Sequence, residues 1–290
     1  MESVQLLINY HGGGERLSCA GTIESIRDAE MTGDELRQAA GGREKGSGAP
    51  EPDDTEKATG GKTTMEKEAI RQRIREMGVD VVGFSDVSRL ADAPEGFGPA
   101  DVLPGCRTVI AFAIRFPRGA LRSPTPHIYT RIRNTISDKL NGIALDVCLF
   151  LESMGAPSVP IPTVEDILDP KTGRYRSLVS LKHMAQAAGL GTIGRNTLLI
   201  TPQYGSLVWL GGVLTEMEIS PDPLLPAACT DCDLCVNACP VHALDGELLD
   251  QGACFSHAFG ERDGMFTISC HACRDICPFC FSGEATEGRP

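Results

Sequence analysis

The sequence predicts an α+β protein in which a layered α/β core is followed by a small cysteine-dense module. Three observations carry that prediction. Between residues 65 and 222, apolar runs of strand length interleave with stretches of helical periodicity. Eight of the twelve cysteines then crowd between Cys229 and Cys277. Residues 1–64 close with "GGREKGSGAPEPDDTEKATGGKTT", a run of Gly, Pro, Ser, Thr and charge that buries too little to offset its ordering entropy. The expected organisation is a disordered extension over 1–64, an α/β domain over 65–222 and a cysteine module over 223–284.

The pattern starts afresh at Met65, which reads as a translation start. "MEKEAIRQRIREMG" sets Ala69, Ile70, Ile74 and Met77 on one face and closes on Gly78, so it reads as a helix stopped by that glycine. "VDVVGFSD" and "RTVIAFAIRF" read as buried strands, and "YTRIRNTISDKLNGIALDVCLFLESMG" as one long helix ending at Gly155. The Pro-rich "APSVPIPTVEDILDP" follows, with Glu165 and Asp166 read as a solvated turn rather than an acid-base pair. "SLVSLKHMAQAAG" reads as a further helix, with Leu178, Leu181, Ala185 and Ala188 at helical spacing. "TLLITPQYGSLVWLGGVLTEMEI" reads as a two-stranded hairpin turning near 203–206.

Charge narrows the partners. Lys and Arg number 27 against 39 Asp and Glu, a net charge of -12 that leaves little room for the basic face phosphate neutralisation needs, so nucleic acid is not an expected partner. No run of about 18 apolar residues and no signal peptide is visible, so a cytoplasmic protein without membrane contact is expected. In such a compartment dense cysteines point to metal rather than disulfides. Cys19, Cys106, Cys148 and Cys280 have no ligand spacing among themselves, and Cys148, in "VCLFL", reads as a buried small hydrophobe.

"AAGLGTIGRN" contains Gly189, Gly191 and Gly194 in G-x-G-x-x-G spacing. A dinucleotide fingerprint needs those glycines after a strand and at the start of a helix, where free N–H groups meet the pyrophosphate. Here the helix comes first, so Gly189 reads as a helix stop.

"CTDCDLCVNACP" places Cys229, Cys232, Cys235 and Cys239 in C-x2-C-x2-C-x3-C-P spacing, the bacterial pattern for [4Fe-4S] clusters, in which the fourth cysteine serves a second cluster. Zinc takes ligand pairs separated by a longer loop and suits this density poorly. "CHACRDICP" supplies the second motif as Cys270, Cys273 and Cys277. A symmetrical ferredoxin would add a cysteine at 267, where this chain has threonine; Cys254 is the substitute, with Cys280 as the rival candidate. The exchange rule then assigns Cys229, Cys232, Cys235 and Cys277 to one cubane and Cys239, Cys254, Cys270 and Cys273 to the other. His242, His257 and His271 read as solvated or supporting side chains, because eight thiolates complete two clusters.

The run "HMAQAAGLGTIGRNTLLITPQYGS", then "LTE", then the two cysteine motifs with the displaced Cys254, resembles the epoxyqueuosine reductase family and, more distantly, the reductive dehalogenases, over about residues 66–280. The resemblance implies a three-layer, nitroreductase-like α/β domain that binds cobalamin, and two [4Fe-4S] clusters that reduce it. It implies that Gly189, Leu190, Gly191, Gly194, Arg195 and Asn196 form part of the corrinoid pocket, glycines allowing close approach and Arg195 and Asn196 offering donors. Arg195 stands where the family has lysine. A low-potential donor of ferredoxin or flavodoxin type and a small or nucleoside-like substrate are implied as partners. The chain also departs from the family. The aspartate that serves as proton donor is absent, and Tyr175, in "GRYRSLVSLK", stands in its place as the candidate catalytic residue. The Arg-Gly-rich segment and the C-terminal helical-repeat portion of the tRNA enzymes are not found, which fits the acidic balance. The rival expectation is an electron-transfer protein whose α/β domain docks a partner enzyme and holds no cofactor.

Overall fold

A computed structural model describes residues 59–164 and 167–282. Of the extension expected to be disordered over 1–64, residues 1–58 fall outside the described residues, as does the turn at Glu165 and Asp166, whereas residues 59–64 are helical and extend the helix expected from Met65 back to Thr59. In chain order the elements are α1 Thr59–Glu76, β1 Val81–Asp86, α2 Pro99–Val102, β2 Thr108–Arg115, α3 Pro126–Ser153, β3 Ser158–Ile161, β4 Ile167–Leu168, β5 Tyr175–Arg176, α4 Leu181–Ala187, β6 Thr192–Ile193, β7 Leu199–Ile200, β8 Val208–Thr215, α5 Leu234–Asn237, α6 Gln251–Ala258, β9 Phe259–Arg262, β10 Met265–Ile268 and α7 Ala272–Asp275.

A four-stranded sheet in the order β1-β2-β8-β3, antiparallel throughout, forms the framework. β2 reads as an unbroken apolar run because both of its faces are covered. Ile110, Phe112 and Ile114 point to α1 and α3, packing with Ile70, Ile74, Leu140 and Val147. Val109, Ala111 and Ala113 point the other way, to Met184, Ala185 and Ala188 around α4. Helices therefore cover both faces of the sheet.

The long helix α3 begins three residues before the predicted Tyr129, because Thr125 caps it through its hydroxyl, accepting from the His127 N–H, and Pro126 suits the first helical position. It stops before Gly155, whose φ is +85°. Two sequence expectations are corrected. The helix predicted from Ser177 starts only at Leu181, with Ser180 extended as the N-cap, so Leu178 and Val179 lie outside it. The predicted hairpin over 197–219 does not form as one ladder: β7 pairs with β6, while β8 is drawn between β2 and β3 in the main sheet, where its apolar residues find two strand partners. The chain does turn near the expected place, closed by the bridge between Thr201 and Gly205 and by the Tyr204 N–H donating to Thr201 Oγ1, but the two strands part beyond it.

After β8 the chain runs back past the β1 edge. Asp222 anchors this strap, its carboxylate 2.7 Å from Lys67 Nζ and 2.7 Å from Arg71 Nη2, and accepting from the Phe84 N–H. The cysteine-bearing segment then returns onto the framework. Ser206 N–H donates to the Phe279 carbonyl, and Ile268 N–H donates to Thr130 Oγ1 on α3 at 2.8 Å.

Candidate functional site

The loop "CTDCDLC" must turn sharply to bring three thiols to one side, and it does so at two aspartates. Asp231 (φ +53°) and Asp233 (φ +56°) take the left-handed conformation that Asp tolerates better than most residues. Asp233 then opens the short helix α5, which carries Cys235. Cys277, just past α7, completes the set: Cys229, Cys232, Cys235 and Cys277 all line one cavity, together with Gly194, Arg195, Asn196 and Phe279. Burial pushes the Cys277 thiol up to about 11, and the neighbouring Cys235, Cys280 and Cys229 add to the rise. Burial likewise raises Cys235, with Cys229 and Cys232 adding.

A second set forms where α6 and α7 approach. Burial raises the Cys254 thiol, and Cys270 and Cys239 add to it. Burial pushes Cys273 up to about 11, opposed by the adjacent Arg274 guanidinium and reinforced by Cys254 and Cys270. Cys239 Sγ accepts the Ala243 N–H at 3.2 Å. Thr267, at the position where a symmetrical ferredoxin has cysteine, is buried in β10 and donates to the Gly260 carbonyl. Cys254 reaches the set from α6 instead.

Among the described residues, no three Cys, His, Asp or Glu side chains converge on a point as a mononuclear ion requires. Four thiols spaced around a cavity suit a cubane, whose ligands stand apart at its corners. Cys280 is fully buried among the apolar residues of the core, beside Cys277 but outside the lining of the cavity. Cys148 packs in the same core.

The glycine segment meets this centre in a particular way. Gly189 ends α4 with φ +71° in a Schellman arrangement, the Leu190 N–H donating to the Ala185 carbonyl and the Gly189 N–H to that of Gln186. A Cβ at Gly189 would lie 2.3 Å from the Pro223 carbonyl oxygen, and one at Gly191 2.2 Å from that of Ile200, so at both positions the close approach is to the protein's own backbone. Leu190 is a core side chain. Gly194 faces Cys229, whose Cβ is 3.7 Å from where a Gly194 Cβ would sit. Arg195 pairs with Asp233 at 2.5 Å and lies over Gly246. Asn196, buried, donates to the Cys273 carbonyl and accepts the Leu198 N–H. The donors Arg195 and Asn196 thus engage both cysteine sets.

Tyr175 lies in β5 and is exposed; its ring stacks on Phe255 at 5.7 Å, and its backbone exchanges two hydrogen bonds with Gln251. It lines neither this cavity nor the one beside Tyr129 and His271. His271 stacks on Tyr129 at 5.1 Å, and His242 occupies a left-handed turn. The sequence reading passed over Arg274 and Trp209. Both are visible in the sequence, but the placing of the Arg274 guanidinium over the half-buried Trp209 ring joins two distant segments, which no local pattern announces.

Residues 224–245 match the family model of the 4Fe-4S binding domain. The chain is 24% identical over 254 residues to an epoxyqueuosine reductase from Bacillus cereus, covering 74% of this chain and 65% of that protein, so it spans just under two thirds of the relative's length. A crystal structure of epoxyqueuosine reductase with a tRNA-Tyr stem loop superposes with a TM-score of 0.53 at 21% identity, covering 75% of this chain and 66% of that one. A reductive dehalogenase whose structure is linked to B12-dependent dehalogenation superposes at 0.52 and 16% identity, over 73% of this chain and 32% of that one. The chain is related to the epoxyqueuosine reductases, shares its fold with the reductive dehalogenases and carries a 4Fe-4S binding domain. No helix among the described residues is long and apolar enough to cross a membrane.

Proposed function

We propose that this relative of the epoxyqueuosine reductases is an iron-sulfur oxidoreductase that moves single electrons through two [4Fe-4S] clusters to a corrinoid-class acceptor, which reduces a small or nucleoside-like substrate. The observation that supports it most is that Cys229, Cys232, Cys235 and Cys277 line one cavity, with Cys239, Cys270 and Cys273 each close to Cys254 beside it. Cys229, Cys232, Cys235 and Cys277 hold the first cluster; Cys239, Cys254, Cys270 and Cys273 hold the second. The clusters supply one-electron carriage at low potential. The chain's residues shield them: Phe279 and Ile200 close the first cavity, and Gly194 lets the backbone lie against Cys229. The Ala243 N–H at Cys239 Sγ supplies the kind of hydrogen bond that raises a cluster's potential. A low-potential donor of ferredoxin or flavodoxin type would feed the clusters, Tyr175 remains the candidate proton donor, and the α/β region over 65–222 with its layered helices is the proposed acceptor domain.

The packing at Gly189 and Gly191 favours a second reading, an electron-transfer protein whose α/β region docks a partner enzyme and binds no corrinoid. Anaerobic reconstitution separates these. About eight irons and eight sulfides per chain support the two-cluster assignment, while one or two zincs defeat it. Added cobalamin that binds stoichiometrically and is reduced supports the corrinoid acceptor; cobalamin that stays free in a fully loaded protein leaves the electron-transfer reading.

A further inference from the structure

Arg274, between Cys273 and Cys277 in "CHACRDICP", is only 6% exposed. Its guanidinium carbon stands 5.4 Å from the centroid of Trp209, the single tryptophan, on β8. Arg133 also faces that ring, at 5.9 Å, so the indole is shared by two cations. Among the described residues no carboxylate forms an ion pair with Arg274, and its Nη1 has no hydrogen-bond partner.

A guanidinium cannot lose its proton in a protein, and burying one without counter-charge costs several kcal/mol. An aromatic face returns about 2 kcal/mol when desolvated, which leaves most of that cost unmet. An anion is required nearby, and α7 places one at hand: a [4Fe-4S] core with four thiolates is negatively charged. Arg274 is the residue directly after Cys273 on α7, one peptide from a thiol of the second set, whereas Cys277 of the first set lies three residues further on, past the end of that helix.

We propose that Arg274 is the fixed counter-charge of the second cluster, a positioning residue that raises this cluster's reduction potential relative to the first. The proposal rests on the two-cluster reading. When the cluster accepts one electron from its donor no bond forms or breaks, and its net charge becomes one unit more negative. A buried cation alongside therefore favours the reduced form.

The test is a reductive titration of reconstituted wild type, Arg274→Gln and Arg274→Lys with dithionite, followed by EPR, with iron and sulfide counted in each. Far fewer than about eight irons in the wild type would sink the two-cluster reading itself. With both clusters present, Arg274→Gln should make one reduction step harder. At fixed potential its reduced-to-oxidised ratio should fall about tenfold, or about 59 mV for one electron, while the other step stays nearly in place. Arg274→Lys should keep both steps near the wild type. Two unmoved steps in a fully loaded Arg274→Gln protein overturn the proposal. If Gln prevents loading of one cluster and Lys does not, the requirement for charge stands; if Lys fails as Gln does, Arg274 is only packing against Trp209 and the proposal falls.

Discussion

The four-stranded sheet buries Phe84, Ile110 and Phe112 on one face and Val109, Ala111 and Ala113 on the other, each against helices that bring their own apolar stripe. Residues 223–282 bury little of comparable size beyond Leu244, Ile268 and Phe279, apart from their cysteines. Their helices are short, α5 and α7 at four residues each, too short to stand without tertiary support. The framework can be held by hydrophobic burial, while the cysteine segment needs ligation. This difference teaches where to expect each part of the molecule to fail, and the largest effect should come from removing metal. Chelation of the loaded protein should release the cysteine segment to rapid amide exchange while β1, β2 and β8 stay protected. Uniform loss of protection across both regions would break the contrast.

The converse experiment attacks the framework. Phe112→Ala removes a fully buried ring from the central strand and should cost about 3–5 kcal/mol in denaturant unfolding. The iron content of the protein that remains folded should be unchanged. A large loss of iron with little loss of stability would invert the assignment of roles.

These two regions also differed in how much of them the sequence disclosed. β1 and β2 were legible as short apolar runs of strand length, and the long helix by its helical period and the glycine that stops it. β8 was legible as a strand, but not its place: "SLVWLGGVLT" next to "TLLIT" has the local pattern of a hairpin, and only the competition of β2 and β3 for its two edges draws it away. In the cysteine segment the ligand spacing was legible because cluster geometry is dictated by sequence-local turns. The role of "GLGTIGRN" was hidden in its long-range contacts. Asn196 meets Cys273 some 77 residues on, and Arg195 meets Asp233, pairings that spacing does not encode.

Two predictions sharpen the contrast at the joints between the regions. The first concerns the strap at Asp222. Burial alone would raise this carboxyl, but Lys67, Arg71 and the Phe84 N–H outweigh it and hold it below the usual carboxylate range. A carboxyl lowered on folding contributes stability that is present above its unfolded pKa of about 3.9 and is lost as the pH falls through the folded value. Asp222→Asn should therefore cost about 1.5–3 kcal/mol at pH 7 and flatten the decline of stability below about pH 4. An acid limb as steep in the variant as in the wild type would remove Asp222 from this role.

The smallest effect should appear at Asn196, which belongs to neither region alone. Its backbone lies in the loop after α4, and its amide spans to the Cys273 carbonyl at 3.3 Å while its own oxygen accepts the Leu198 N–H at 3.1 Å. Neutral hydrogen bonds of this kind contribute about 0.5–1 kcal/mol each, and the substitution removes two of them. Asn196→Ala should thus weaken the loaded protein by about 1–2 kcal/mol, too little to unfold the sheet. The loss falls on one side of the joint, because the freed carbonyl is that of a proposed cluster ligand. Iron should leave the second cluster several-fold faster under chelator, while the denaturant midpoint of the sheet core hardly moves. Equal acceleration at both clusters would mean that the glycine loop steadies the whole segment rather than the Cys273 turn. An unchanged release rate would mean that α7 holds its conformation without the loop, and that the two regions meet there without supporting one another.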